Sequence, residues 1–395
     1  MAAAEPEIAR SSGLLRPFMP ELDTLRGMAV LGVLFLHGFY WQYARLSFGK
    51  AARTFLNLTQ PGWIGVHLFF VLSGFLITGI LLDSKPRPDF YRRFYTRRAL
   101  RILPPYYLLL LLLLVLRASS AAFVGLSFVY LSNMTEFFGV ACDYGPLWSL
   151  AVEEHFYIAW PAVVRKLSSR HLAWFSAAIV VGIPVARAYS FAKGWTAGLD
   201  WYTWFVADGL ATGALLAIVL RSAITRRQAR TACGWLLGGC LVAALAGAPF
   251  GILTRNRILG ASLQLSIIHL FFAGVLLIFL LVGSSSAKRF VDLGVLRFLG
   301  YISYGLYLDH MLAFRMYDRF CRHYAPGWIP SNGHFGLVVW RFVLAGGAAI
   351  TAAYLSRRFY EEQFLRLKDS LVPRPAAEVR ERVIDAGPAI DSRIA

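Results

Sequence analysis

Runs of about 17–25 apolar residues recur along this 395-residue chain, and that is the length an α-helix needs to cross roughly 30 Å of hydrocarbon. Hydrophobic residues make up 57% of the chain and the mean hydropathy is +0.56, against about 45–50% apolar residues in an ordinary soluble domain. The excess is concentrated in the runs, which predicts one polytopic membrane domain rather than two soluble ones. The expected fold is therefore all-α, a membrane helix bundle with about ten transmembrane helices. They are placed near 23–43, 62–82, 100–117, 146–164, 171–190, 201–220, 232–250, 260–282, 298–317 and 335–356. The apolar stretch 120–140 contains Ser127, Ser132, Asn133 and Glu136 and is expected to be short or re-entrant, because lipid-exposed irregular backbone is not tolerated.

The net charge of +18 admits a nucleic-acid partner in principle, but no basic stripe carries a nucleic-acid motif. Lys and Arg cluster instead in alternate loops. One set holds Lys85, Arg92, Arg93, Arg97, Arg98, Arg165, Lys166, Arg221, Arg226, Arg289, Arg357 and Arg358, and the intervening loops hold far fewer. By the positive-inside rule this set is cytoplasmic. A multi-pass protein of the inner (plasma) membrane is predicted, with both termini in the cytoplasm. The opening stretch lacks a short apolar core with a small-residue cleavage pattern, so the first apolar run is expected to remain as an anchor. Residues 1–20 are read as a cytoplasmic N-terminal segment, 21–368 as the membrane domain and 369–395 as a disordered cytoplasmic tail, polar and poor in aromatics. Cys142, Cys233, Cys240 and Cys321 show neither metal spacing nor a disulfide framework, although a bond between Cys142 and Cys321 is conceivable. The eight His residues form no paired ligand site, and no metal is expected.

Within the first span, "LDTLRGMAVLGVLFLH" places Asp23 and Arg26 at the entrance and His37 eleven residues beyond Arg26. At about 100° and 1.5 Å per residue the two share a helix face about 16 Å apart, which sets His37 near the bilayer midplane. Ionisable groups at that depth are costly and point to function. A neutral imidazole can accept a proton from a hydroxyl. A hydrogen bond to a neighbouring helix is the alternative reading. The residues alone give a buried base without a substrate.

Five stretches, taken together, resemble the integral-membrane acyltransferase 3 family. They are "LDTLRGMAVLGVLFLH" with its Arg, ten residues, His pattern; "GVHLFFVLSGFLIT" (65–78); "RRALRILPPYY" (97–107); "LWSLAVEEHFYIAWP" (147–161); and "ISYGLYLDH" (302–310). "FYEEQFLRLK" (359–368) is a weaker match. His67 stands where the family often has an acidic residue, Thr24 replaces a frequent Gly, and Gln363 replaces a Pro. The resemblance implies a membrane-bound O-acyltransferase. It would move an acyl group, commonly acetyl, from cytosolic acyl-CoA to a hydroxyl of a cell-envelope or lipid-linked sugar, or of a macrolide-type small molecule. Acyl-CoA would be a co-substrate, with no permanently bound cofactor; the partners are membrane lipid, acyl-CoA and a hydroxyl-bearing acceptor. A proton-coupled transporter or flippase is the rival class, and it predicts internal repeats, which are not seen.

On that reading His37 is the catalytic base or, alternatively, the nucleophile of an acyl-histidine route. Glu153, about two turns inside its span, is expected to orient or support the imidazolium. Ser149, Glu153, Tyr157 and Trp160 fall on one helix face. Arg98 and Arg101, spaced i, i+3 at a cytoplasmic span entry, are candidates with Arg26 for the CoA phosphates, since Arg grips phosphate with a planar fork; membrane anchoring is the other reading. His310, Trp148 and Tyr157 are candidates for acceptor contacts, with a polar seam and aromatic anchors as the alternative. His269 has no motif around it and reads as structural. Asp309 and His67 carry no assigned role. Ser73–Gly74 is expected to let two helices approach closely.

Overall fold

The computed structural model describes residues 13–371, and every regular element among them is helical. The remainder of the expected N-terminal segment and of the expected tail lies outside the described residues. In chain order the principal helices are α1 (Pro20–Tyr43), α2 (Lys50–Ser84), α3 (Phe90–Val115), α4 (Ala121–Phe128), α5 (Leu147–Lys166), α6 (Ser169–Ala192), α7 (Asp208–Leu220), α8 (Arg226–Phe250), α9 (Ile258–Gly283), α10 (Ser303–Tyr324) and α11 (Phe335–Leu367). Each of the ten expected segments falls on one of them. Seven are long and apolar enough to cross a membrane, which makes this a polytopic helical membrane protein; length and composition do not establish ten crossings. α7 has 13 residues, and α5 and α10 carry several charges each, among them Glu153, Glu154, Asp309 and Arg315.

Between α3 and α5 the apolar stretch forms the eight-residue α4 and a 3₁₀ turn at Thr135–Phe138; α4 is about 12 Å long at 1.5 Å per residue, too short to cross. Ser120 caps it, accepting from the Phe123 amide at 3.3 Å. Tyr106 ties it to α3 by donating to the Ser127 carbonyl at 2.6 Å.

Small residues bring the central helices together, the device that replaces hydrophobic association in lipid. A Cβ at Gly74 of α2 would lie 1.9 Å from the Leu210 carbonyl oxygen of α7, and one at Gly213 would lie 2.0 Å from that of Val71. Backbone meets backbone there. Large apolar side chains such as Trp174, Val185, Trp235 and Leu245 are exposed on the periphery, an apolar girdle too extensive for a water-facing surface. Basic residues join the helix termini at one end of the bundle. Arg221 pairs with Asp83 at 2.8 Å, Arg226 donates to the Leu281 carbonyl at 2.8 Å, and Lys85 donates to that of Leu167. The four cysteines are free, Cys142 exposed and Cys321 buried, so the disulfide considered above is not formed.

Two features shape the site. α1 widens into a π-turn at Leu36–Tyr40, which contains His37. α11 has π-turns at Phe342–Gly346 and Ser356–Glu361. Single π-turns inside α-helices commonly occur at functional positions.

Candidate functional site

His37 leaves the π-turn of α1 toward α10, where its Nδ1 lies 3.0 Å from Nε2 of His310. The two rings are 5.0 Å apart at their centroids. His310 is buried and His37 half-buried. Hydrogen-bond acceptors fix the tautomers. Nδ1 of His310 is 3.0 Å from the Leu306 carbonyl oxygen, which can only accept, so that nitrogen carries the hydrogen. In the neutral ring Nε2 of His310 is then an acceptor, and the hydrogen between the rings belongs to Nδ1 of His37. The backbone carbonyl of Val33, one turn earlier, also faces His37. Nε2 of His37 is left with an unshared lone pair. Ser149 and Tyr307 flank the pair, their hydroxyls 2.6 Å apart, and the Tyr307 ring lies 6.0 Å from that of His310.

Glu153 shares no hydrogen bond with His37. It accepts from Ser73 of α2 at 3.0 Å and from the Tyr157 hydroxyl at 2.8 Å. The Arg98 guanidinium stacks 3.7 Å above the Tyr157 ring, and Arg98 and Arg26 are the cations nearest in effect to Glu153. His310, rather than Glu153, is the side chain within hydrogen-bond distance of Nδ1 of His37. Trp160, on the same face of α5, donates to Thr78 at 2.8 Å, so this face is the seam with α2. Trp148 stands edge-on to Phe70, 5.9 Å between centroids.

The three arginines singled out in the sequence do converge. Arg101 sits among Arg26, Arg98 and Arg357, with Glu361 as the neighbouring carboxylate. Arg26 also pairs with Asp23 at 2.6 Å. Buried Nε atoms of Arg98 and Arg357 have no hydrogen-bond partner among the described residues, and Arg101 is exposed. Several guanidinium groups gathered in one region make it receptive to anions, phosphate above all. In the sequence Arg357 reads only as a basic loop residue and Glu361 only as part of the weaker match at 359–368, and neither is assigned to the site. The π-turn Ser356–Glu361 carries them in, and no periodicity announces it.

A second imidazole pair joins α2 to α9. Nδ1 of His67 is 2.8 Å from Nε2 of His269, and Nδ1 of His269 is 3.3 Å from Oδ2 of Asp208. Asp208 in turn receives Arg187 in a two-pronged ion pair, 3.3 and 3.0 Å, and the Ser266 hydroxyl at 2.6 Å. Arg187 completes its donors on the carbonyls of Ser262 and Phe205. Arg187, Asp208 and His269 have no accessible surface, and His67 has 3%. None of these four was assigned a function from the sequence. The available signal was a lone charge in an apolar run, as in "VARAY" and "VADGL". Among the described residues no group of three or more His, Cys, Asp or Glu is arranged to hold a metal ion.

Fold and site together define a polytopic membrane protein with an imidazole pair inside its bundle and an anion-receptive arginine cluster between its helices. Residues 19–358 match the acyltransferase domain that defines the acyltransferase 3 family, and the chain belongs to that family. Among proteins similar to it, peptidoglycan O-acetyltransferase OatA of Listeria monocytogenes is 25% identical over 402 residues, covering 89% of this chain and 56% of that protein. The putative peptidoglycan O-acetyltransferase YrhL of Bacillus subtilis is 34% identical over 171 residues, 36% of this chain and 23% of the other. O-acetyltransferase OatA of Staphylococcus aureus is 28% identical over 178 residues, 39% and 26% of the two chains. The chain thus spans about half the length of the Listeria relative. No solved structure matches it.

Proposed function

We propose that the protein is a membrane-bound O-acyltransferase that moves an acetyl group from acetyl-CoA to a hydroxyl of a cell-envelope sugar, with peptidoglycan as the first acceptor to test. The observation that carries this reading is the His37–His310 pair, whose hydrogen bonds leave one lone pair on His37 Nε2. In the proposed reaction the acceptor hydroxyl gives its proton to Nε2 as its oxygen attacks the thioester carbonyl. The C–O bond forms, the C–S bond breaks, and the CoA thiolate takes the proton from the His37 imidazolium. His310 holds Nδ1 of His37 throughout, the orienting part that a carboxylate plays in a hydrolase triad. The same lone pair can attack the thioester directly, giving an acyl-imidazole that the acceptor then relieves.

The donor's phosphates are assigned to Arg26, Arg98 and Arg101, with Arg357 as a fourth contact. Arg26 and His37 are about 16 Å apart along α1, which leaves room for an extended thiol arm between phosphate site and base. Glu153 is assigned to catalysis through its neighbours. It accepts from the Tyr157 hydroxyl, and the Arg98 guanidinium stacks on the Tyr157 ring, so it would hold that guanidinium in place through Tyr157. Trp148 and Tyr157 remain candidates for substrate contacts; His310 moves from acceptor contact to support of the base. The positive-inside pattern of the basic loops supports a cytoplasmic arginine cluster and cytoplasmic termini in the plasma membrane, the side from which acyl-CoA would enter.

Purified protein in detergent, given labelled acetyl-CoA and muramidase-solubilised peptidoglycan fragments, tests the proposal. Acceptor-dependent CoA release with label on the sugar is expected, falling roughly 10²–10⁴-fold in His37→Gln. Movement of the fragments across proteoliposomes without CoA release would instead make the protein a transporter.

A further inference from the structure

Arg341 of α11 is 1% exposed, in the middle of an apolar run. Its Nε and Nη2 clasp Asp318 of α10 at 2.6 and 2.8 Å. The rings of Phe314 and Tyr43 lie 4.5 and 5.3 Å from the guanidinium carbon. An ion pair this deep gains little over apolar packing, because desolvation offsets its attraction. What it provides here is a directed donor. The remaining nitrogen, Nη1, reaches the Gly38 carbonyl oxygen at 3.4 Å, and Gly38 is the residue after His37 in the π-turn of α1.

The same spot is fixed from a second side. A Cβ on Gly38 would lie 2.4 Å from Cδ2 of Phe342, the first residue of the facing π-turn in α11. Two wide turns therefore press together, ring against bare backbone, directly beside the base. A π-turn interrupts the i→i+4 bonding of the helix around it with a single wider turn, and contacts from outside can set the direction of its backbone. α10 supplies both ends of the arrangement. His310 holds the His37 ring, and Asp318, about 12 Å further along at 1.5 Å per residue, holds the arginine that holds the backbone.

We infer that Arg341 is a positioning residue for His37: anchored on Asp318, it holds the Gly38 carbonyl and so sets the direction of the His37 lone pair. The kinetic part rests on the reading of His37 as the base; the geometric part does not. Lys at 341 cannot make the paired contact with Asp318 and still reach Gly38. In Arg341→Lys, kcat is expected to fall on the order of 10²-fold, the scale of a 1 Å misplacement, with the KM for acetyl-CoA within about twofold of the unmodified protein. Nitrogen-15 NMR of histidine-labelled full-length protein, with the His37 signals identified by their loss in His37→Gln, supplies a readout that needs no turnover. The unmodified protein should show hydrogen on Nδ1 alone, and Arg341→Lys a mixture of tautomers. Gly38→Ala should repeat both effects by collision with Phe342, and Gly38→Ala combined with Phe342→Ala should reverse them.

Unchanged kcat and unchanged nitrogen signals in folded Arg341→Lys would overturn the inference. If no Arg341 variant folds, the Gly38 pair decides. A harmless Gly38→Ala, or a double variant that does not recover, overturns it equally. Failure of the unmodified protein to release CoA with any acceptor would sink the acyltransfer reading alone, and the NMR comparison would still test the brace.

Discussion

The bundle contains two imidazole pairs that are nearly superimposable in their internal geometry. His37 and His310 are 3.0 Å apart nitrogen to nitrogen, with centroids 5.0 Å apart; His67 and His269 are 2.8 and 4.9 Å. An acceptor stands behind each inner imidazole, a backbone carbonyl hydrogen-bonded to His310 and a carboxylate 3.3 Å from Nδ1 of His269. Each leaves one nitrogen of its outer imidazole, His37 or His67, with a lone pair. The pairs differ in what surrounds that nitrogen. His37 is half-buried beside a turn of irregular helix. His67 is sealed, with the rings of Trp63 and Phe70 edge-on against it. A pair of histidines in a membrane is therefore not in itself a base. Access separates a site that can meet a substrate from a polar lock that joins α2, α7 and α9.

If that distinction is right, damage to the two pairs should appear in different measurements. The largest effect is expected at Arg187→Met. It leaves the Asp208 carboxylate buried with only His269 and Ser266, and removing one partner of a buried ion pair typically costs about 3–5 kcal/mol. Thermal unfolding in detergent should show the loss, while kcat per folded molecule stays as it was. A variant with intact stability and lost turnover would erase the contrast and bring the sealed cluster into the chemistry.

His310→Ala should behave in the opposite sense. It removes the acceptor that holds Nδ1 of His37 and lets the ring choose the wrong tautomer. Misdirection of a base by about 1 Å is worth on the order of 10²-fold in rate, and the loss of stability should stay below that at Arg187, since no buried charge loses its partner. His310→Gln should recover part of the rate, because the amide oxygen can accept the same hydrogen. Equal rates for Ala and Gln would show that orientation is not what His310 supplies.

Much of this was legible one helix at a time. The spacing from Arg26 to His37, the shared face of Arg98 and Arg101 and the close approach at Gly74 all follow from residues on a single helix, where periodicity fixes geometry. The partners were harder. Glu153 was expected behind His37 and stands instead against Ser73 and Arg98. The register between α5 and α1 is set by how both pack on α2, and neither sequence records it. The same holds for His310, whose choice between acceptor contact and structural contact was open until α10 met α1. Arg187, Asp208 and Arg341 are single charges in apolar runs with no motif around them. The cost of an intramembrane charge marks such residues, but it does not say which distant helix answers them. For the count of spans composition works the other way: α5 and α10 fall on expected spans but carry so much of the site's charge that length and composition do not establish them as crossings.

The smallest effect expected is at His67 itself. His67→Asn removes the bond to His269 Nε2 but leaves the Arg187–Asp208 core in place, so the loss should be about 1 kcal/mol, one ordinary hydrogen bond, with kcat unchanged. His67→Asp asks a sharper question, because an acidic residue is frequent here in the acyltransferase 3 family. A carboxylate at that position would accept from His269 Nε2 while Asp208 accepts from Nδ1, and His269 would sit as an imidazolium between them. With Arg187 the sealed cluster then holds two positive and two negative charges, as balanced as the present arrangement with one of each. The substitution should fold and turn over normally, with the Nε2 hydrogen of His269 visible by nitrogen-15 NMR. A collapse in stability would mean that the lock needs an imidazole at position 67, and that charge balance does not describe it.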